Sequence, residues 1–398
     1  MRRTKLPAAS IIIFTALCIT LLPSTAGCKT QTQAPAETPT QTSPSPLPAS
    51  SPPEVTPEPA SGLKPIPPPP VTTPETGKGP SPAGIPEQPE GQADPDITVD
   101  IYHPEKAFNG TTLLPDNHDS VTSRVIEVNM LGEIVWEYQI PQEPKRYTNP
   151  GFDVELLEND NILLTLPGKG VYEVNCNGDT LWSYLDNNVS HDADRLPNGN
   201  TLVVFGNNDK ESDAQVKEIS PEGKIVWSWY ARDHFYKSPH KDIYEGGWTH
   251  TNAVVRLPDG NTIISPRNFN LLVKVDPGGD VVRTIGADIL HHQHDPEILL
   301  SGNILVANHG RPHRAIELEP NTGKIVWQSA GFKSDNILVR DANRLPNGNT
   351  LITGTTAIVE VTPGGEVVWR LRLKNVTFDS EQARGFGFYK AERINQHR

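Results

Sequence analysis

Nine of the twelve histidines in this chain fall between His191 and His313. Three of them, His191, His250 and His294, stand at the heads of one recurring phrase. It reads HDADRLPNGNTLVVFG from His191, HTNAVVRLPDGNTIISPR from His250 and HDPEILLSGNILVANHG from His294, with a copy lacking histidine, DANRLPNGNTLITGTT, from Asp341. Aligned on their glycine turns, the heads put His191 in register with Phe152, Asn252, His294, Arg340 and Tyr389. His250 lies two residues before Asn252 and so faces the same way, because side chains on a strand alternate. The stretches after the second segment of each phrase add Asn207 and Asn208, Arg267, Asn268 and Asn270, and Asn308, His309, Arg311 and His313. Imidazoles, guanidiniums and amides gathered in one place suit a small anion: charge-assisted donors hold sulfate-like oxygens, and planar Arg does so in fixed geometry.

One residue beyond the histidine register, Asp192 aligns with Asp153, Ala253, Asp295, Asp341 and Lys390. An acid that recurs in most copies and alternates away from the histidines reads as a structural hydrogen-bonding ring. His309 and His313 read either as substrate contacts or as loop surface, and His291 and His292 either as support for the site or as polar rim. His234 and His240, in the insertion ARDHFYKSPHKDIYEGG, read as lid or surface. His103, His118 and His397 carry no signal.

What must position these heads is a repeat. Closing phrases of the form Gly-x-x-Val/Leu-Trp end at Trp136, Trp182, Trp227, Trp327 and Trp369, and a sixth, GDVVR, carries Arg283 in the Trp place. The steps between closing residues are 46, 45, 56, 44 and 42, a near-constant period that means a repeat architecture. Within each unit, short β-branched runs such as NTLVVF, NTIIS and KIVWSWY alternate with Pro-Asn-Gly or Pro-Asp-Gly turns. Four strands per unit is the pattern of a β-propeller blade. Five units are complete, at 149–184, 189–230, 248–286, 290–331 and 336–372. The N-terminal unit, 111–138, lacks a head, and FYKAERI (388–394) at the other end of the chain supplies one. The expected fold is all-β: a six-bladed β-propeller closed by N- and C-terminal strands, which leaves the sheet no open edge at the seam. The heads and the loops after the second strands share one face, and the glycine turns line the opposite one. The Trp phrases read as packing of blade against blade.

The N-terminus reads as an export leader. Arg2, Arg3 and Lys5 precede an apolar run from Ala8 to Leu22 and the small residues Ser24 to Gly27 before Cys28, too short a run for a spanning helix. Ala-Gly-Cys resembles a bacterial lipobox, so 1–27 is expected to be cleaved and Cys28 lipidated, with plain secretion as the alternative. Residues 28–96 are rich in Pro, Thr and Ser, including Pro67 to Pro70, and are expected to form a disordered tether. The propeller then spans 97–398. The net charge of −13 becomes −16 once the leader's three cations leave, which argues against nucleic acid or anionic lipid as partners and restricts membrane contact to the lipid anchor. Cys176 is the one cysteine left in the folded part, so neither a disulfide framework nor a thiolate metal cage is expected.

The histidine segments, taken in order, resemble the bacterial arylsulfate sulfotransferase (ASST) family. WTHTNAVV followed by IISPRNFNLLVKVD looks like the family's W-[ST]-H-x-N strand with its following Arg. QHDPEILLSGNILVANHG looks like its Q-H segment, and SHDADRLPNGNTL like its H-D segment. The resemblance covers the folded region and implies transfer of a sulfuryl group from an aryl sulfate to a phenol, with no metal, nucleotide or other cofactor. It implies that His294 is the nucleophile that is transiently sulfurylated. His250, Asn252, Arg267 and His191 would hold the sulfuryl and bridging oxygens, and Asn308, His309, Arg340 and Tyr389 would line the substrate site. The family's D-N-G loop here reads Ala307-Asn308-His309-Gly310 and lacks its carboxylate. Imidazole, with an ordinary pKa of about 6.5, is largely unprotonated near neutral pH and suits the nucleophile's part. The rival readings are a non-catalytic ligand-binding or scaffold propeller and a quinoprotein dehydrogenase. The latter is typically eight-bladed with a metal beside the quinone, whereas six closing phrases and a His/Arg mouth stand here.

Overall fold

The computed structural model describes residues 88–118, 123–140, 151–331, 338–375 and 386–395. The chain divides into 1–76 and 77–398. The leader, Cys28, most of the proposed tether and His397 lie outside the described residues.

Six sheets follow one another along the chain as the blades of a β-propeller. The third blade is representative: Ala193–Arg195, Thr201–Val204, Val216–Ile219 and Ile225–Trp229 pair antiparallel in sequence order. Burial explains the composition of each strand. Second strands such as Ile162–Leu166, Thr201–Val204 and Thr350–Gly354 are buried throughout and read as unbroken apolar runs, because both their faces meet neighbouring blades. Fourth strands such as Thr180–Leu185 and Lys324–Gln328 alternate or stay exposed at the rim. The first turn of these units needs a left-handed residue; a glycine such as Gly199 with φ 83° or Gly348 with φ 87° provides it without a Cβ clash, and Asp160 with φ 62° fills the place in the second blade.

The core is distributed between blades. Six buried clusters occur among the described residues, each shared by two neighbouring blades. One, for example, joins Leu157, Leu163 and Val171 to Val203, Phe205 and Ile219. The Trp phrases add a directional bond at each junction. Trp136 Nε1 donates to the carbonyl of Cys176 at 2.9 Å, Trp182 to Pro221 at 2.9 Å, Trp327 to Pro363 at 3.0 Å and Trp369 to Met130 at 3.0 Å. Arg283, in the Trp place, donates to Asn321 at 2.9 Å. In the third blade the donor is Trp229, to Gly279 at 3.1 Å, and not the Trp227 of the phrase. Trp227 lies instead beneath the Arg256 guanidinium.

A second junction device gave no sequence signal. Arg195, Arg256, Arg344 and Arg393, each on a first strand, pair with Glu173, Glu218, Glu317 and Glu360 of the preceding blade at 2.9, 3.0, 2.7 and 3.2 Å. Each also lies over the Trp cross-strand from that Glu.

Closure follows the expected plan. Gly387–Phe388 and Glu392–Ile394 pair with Thr111–Asn117, completing the first blade from the C-terminus. One strand was not foreseen as part of the seam: Ile97–Tyr102 pairs with Val367–Leu373 on the outside of the sixth blade, so the N-terminal segment stitches the first and last blades together. The tether boundary at residue 96 needs correction. Gln92 and Ala93 pair with Ile134 and Glu133 on the first blade's outer strand, Asn129 Nδ2 donates to the Pro89 carbonyl at 2.9 Å, and Asp94 pairs with Arg124 at 2.9 Å. Described structure thus begins by residue 88. The outer strand offers unpaired backbone groups, and a short polar segment satisfies them without leaving a hydrophobic pattern to read.

Candidate functional site

The first strands of the blades surround one axis, and two rings of side chains mark it. In the deeper ring Lys390 Nζ lies 3.1 Å from Asp153, 3.1 Å from Asp192 and 3.2 Å from Asp295, carboxylates from three other blades. Asp192 also accepts the backbone N–H of Val254 at 2.7 Å, and Asp341 that of Ala391 at 3.0 Å. The acid register is therefore structural, as its alternation suggests, and Lys390 is its counter-charge. Burial away from water pushes the carboxyls of Asp153, Asp192 and Asp341 up; burial alone would lower the Lys390 ammonium, but the surrounding carboxylates outweigh it and push it up.

The shallower ring gathers the histidine register. His191 stacks on Tyr389 with ring centroids 5.5 Å apart and on His250 at 5.4 Å. His294 stacks on His309 at 5.1 Å and meets Tyr389 edge-on at 6.1 Å. The Arg340 guanidinium lies 5.3 Å over the Tyr389 ring. Phe152, in the same register, is buried and apolar, and the residue before it, Gly151, brings its carbonyl to the His191 ring. Among the described residues no three of His, Cys, Asp and Glu are placed to hold a metal ion.

Three imidazoles are fixed in one tautomer. Nδ1 of His191 meets the carbonyl of Gly151, Nδ1 of His250 that of Gly246 and Nδ1 of His294 that of His292, each at 2.9 Å. A carbonyl accepts only, so each Nδ1 carries the proton and each Nε2 is left with its lone pair. Burial, then its neighbour His250 and the charges of Arg340 and Arg267, hold the pKa of His191 down at about 3. Burial and Arg267 hold His250 at about 4. Burial, then His309 and Arg267, put His294 well below its ordinary value. All three are neutral near pH 7.

Positive charge arrives from Arg267, which opens the short 3-10 turn Arg267–Phe269 after the strand Thr262–Pro266. Its guanidinium donates to Asn268 Oδ1 at 2.8 Å and lies 3.1 Å from His292 Nδ1 and 3.5 Å from Glu245. Glu245 reaches His292 Nε2 at 3.4 Å, so His292 supports the Arg. His250 sits at φ 48° and His292 at φ 48°, a sparsely populated region for residues other than Gly. Asp209 holds the His250 turn there: its carboxylate accepts the N–H of Thr249 at 3.1 Å, the N–H of His250 at 3.0 Å and the Thr249 hydroxyl at 2.8 Å. Asp209 and Glu245 are positioning groups without a mark in the sequence pattern, and Lys390 is one that aligned with the acids without its role being visible.

The remaining predicted residues divide. Asn252 Nδ2 donates to the Gln293 carbonyl at 2.9 Å, which fixes the strand carrying His294 and leaves one amide hydrogen for a ligand. Asn308 Oδ1 accepts the His291 N–H at 2.7 Å and Nδ2 faces the Gly310 carbonyl at 3.4 Å, so it shapes its own loop. Arg340 is buried, with its pKa lowered to about 10 by that burial, and donates to the Phe388 carbonyl at 3.3 Å. His240 and His234 pack within the insertion beside Phe269 and Trp229, away from the ring. His118 pairs with Asp116 at 2.6 Å in the first blade.

Residues 103–300 match the Arylsulfotransferase (ASST) family. No curated protein matches the chain. Among solved structures, a protein of unknown function from Bacteroides caccae is similar at 18% identity and a TM-score of 0.50, with 68% of this chain and 96% of that one covered, a likeness of fold. A virginiamycin B lyase from Staphylococcus aureus is similar at 11% identity and a TM-score of 0.44, covering 71% of this chain and 89% of that one.

Proposed function

Since residues 103–300 match the Arylsulfotransferase (ASST) family, we propose that the chain transfers a sulfuryl group from an aryl sulfate to a phenol through a sulfurylated His294. The observation that carries this reading is the tautomer of His294: Nδ1–H is committed to the His292 carbonyl, and Nε2 keeps an unprotonated lone pair in a site edged by Arg267. That pair forms the bond to sulfur while the S–O(aryl) bond breaks and the phenolate leaves. The ring gains positive charge as it does so, and the bond from Nδ1–H to the carbonyl strengthens with that charge. A phenol then attacks the same sulfur as its proton passes to a neighbouring base, the S–N bond breaks and its pair returns to Nε2, and the proton given up balances the one the first phenolate takes up. Splitting the reaction in two lets one site serve donor and acceptor in turn.

The other groups act by position and charge, the main resource for transfer of such a group. Arg267 and the second hydrogen of the Asn252 amide supply donors for the sulfuryl oxygens, while the neutral rings of His191 and His250 wall that side of the site and Tyr389 offers an aromatic wall to the aryl ring. No nucleotide takes part, because the ester itself carries the group.

The test is incubation with an aryl sulfate alone, which should add the mass of one SO3 group to a peptide containing His294. The adduct should disappear when a phenol is supplied. His294→Ala should abolish both steps, and Arg267→Ala should slow transfer by on the order of 10²–10³-fold. If His294→Ala keeps the wild-type rate, the nucleophile is misassigned. If no aryl sulfate is turned over, the site belongs to a binding propeller.

The lipobox-like Ala26-Gly27-Cys28 and the Pro-rich stretch after it support an extracytoplasmic propeller tethered through a lipid on Cys28. Cys28→Ala should move the protein from the membrane to the soluble fraction on fractionation; an unchanged distribution removes the anchor from this reading.

A further inference from the structure

We propose that His309 is the proton carrier of this site, taking the acceptor's phenolic proton and returning it to the phenolate that leaves the next donor. This rests on the sulfuryl-transfer reading above. The His309 ring stacks on that of His294, with centroids 5.1 Å apart and planes within 22°, so it lies alongside the imidazole that carries the reacting nitrogen. What separates it from the other imidazoles of the ring is its hydrogen bonding. His191, His250 and His294 each have Nδ1 tied to a backbone carbonyl, and to move a proton through them would disturb that bond. Nδ1 of His309 is buried without a hydrogen-bond partner. A buried polar atom left in that state costs free energy unless a ligand satisfies it, and a ring not tied to one tautomer can both take and give a proton.

Its place in the loop is fixed by the backbone: the His309 carbonyl accepts from His313 Nδ1 at 2.5 Å, and Gly310 N donates to the His291 carbonyl at 2.8 Å. Burial and the charges of Arg340 and Arg267 hold the ring neutral. A bound sulfate monoester opposes those charges, so protonation follows occupancy. In the acceptor step the phenol oxygen bonds to sulfur as its proton passes to His309, and the S–N bond to His294 breaks. In the donor step His294 Nε2 bonds to sulfur, the S–O(aryl) bond breaks, and the phenolate oxygen takes the proton from His309. Over one cycle a proton moves from one phenol to the other and nothing else is consumed.

Leaving groups supply the test. A nitrophenyl sulfate releases a phenolate stable enough to leave unprotonated, whereas phenyl sulfate does not. In His309→Asn and His309→Gln, sulfurylation of His294 by the nitrophenyl ester should lose far less of its rate than sulfurylation by phenyl sulfate. The rate with phenyl sulfate should fall by on the order of 10²–10⁴-fold and recover partly with added imidazole. Equal loss with both donors, or none with either, overturns the proposal. So does a steep dependence of the wild-type rate on the basicity of the leaving phenol, a measurement that needs no variant to fold. If the wild-type protein forms no adduct at His294 even with the nitrophenyl ester, the transferase reading itself fails and takes this one with it.

Discussion

At the scale of single residues the site is decided by where ring protons sit. A nucleophilic imidazole must be neutral, and here burial and nearby Arg267 hold His191 at about 3 and His250 at about 4, with His294 also well below its ordinary value. The acid limb of kcat/KM for a nitrophenyl donor, whose leaving group needs no proton, should therefore lie well below the ordinary histidine pKa of about 6.5; a midpoint at or above 6.5 would contradict it. Stability should move with opposite economy. Below pH 6.5 the unfolded chain takes up protons that these buried rings refuse, so their contribution is full above the unfolded pKa and is lost as pH falls toward 4. Thermal melts from pH 7 to 4 read that slope. The register that unites His191, Asn252, His294, Arg340 and Tyr389 was readable because strand side chains alternate and the glycine turns fix the alignment. The groups that aim them were not, because the carbonyls of Gly151, Gly246 and His292 belong to the backbone, and a backbone acceptor leaves no mark on residue type. Asp209 looked like one more loop acid, since its partners Thr249 and His250 lie about forty residues on.

At the scale of strands and blades, the closing Trp phrases were readable as a period, and their role is a hydrogen bond to the next blade. The Arg–Glu pairs were not, because Arg195 and Glu173 or Arg256 and Glu218 are 22 and 38 residues apart and each alone resembles a solvated charge. The seam depends most on this device. Arg393 and Glu360 are both 0% exposed in their side chains, and Arg393 also donates to Thr112 Oγ1 at 2.9 Å and lies 4.5 Å over Trp369. Removing one member leaves a buried charge, whereas removing both leaves none. Arg393→Met should cost about 3–5 kcal/mol, and Arg393→Met with Glu360→Gln should recover much of that in a double-mutant cycle by chemical denaturation. Arg344→Met, at a pair with side chains 21% and 13% exposed, should cost clearly less. Equal losses at the two junctions would mean that burial does not set the strength of this pair.

At the scale of the whole ring, one segment of chain closes the propeller and neutralises its axis. The blade count and the terminal closure could be read from the sequence because each depends on a repeat missing its head. The meaning of Lys390 could not, although it aligned with Asp153, Asp192, Asp295 and Asp341, because a register shows only that residues share a height and not that they meet across an axis. Deletion from residue 386 onward removes both functions at once: it exposes the edge of Thr111–Asn117 and takes away the ammonium that lies between the carboxylates. The truncated protein should melt at a lower temperature and associate through that edge, which size-exclusion chromatography would detect; a monomer with an unchanged cooperative melt would exclude closure by these strands. Lys390→Met separates the two functions. It keeps the strand and its ladder but leaves the acids facing one another, so the folded-state pKa values of Asp153, Asp192 and Asp341, already raised by burial, should rise further. A raised carboxyl pKa contributes stability below the unfolded value of about 3.9 and loses it as pH climbs through the folded one. The variant should therefore lose stability relative to wild type progressively as pH rises from about 4 to 7. A loss independent of pH would mean that Lys390 acts through packing, with its charge irrelevant to the ring.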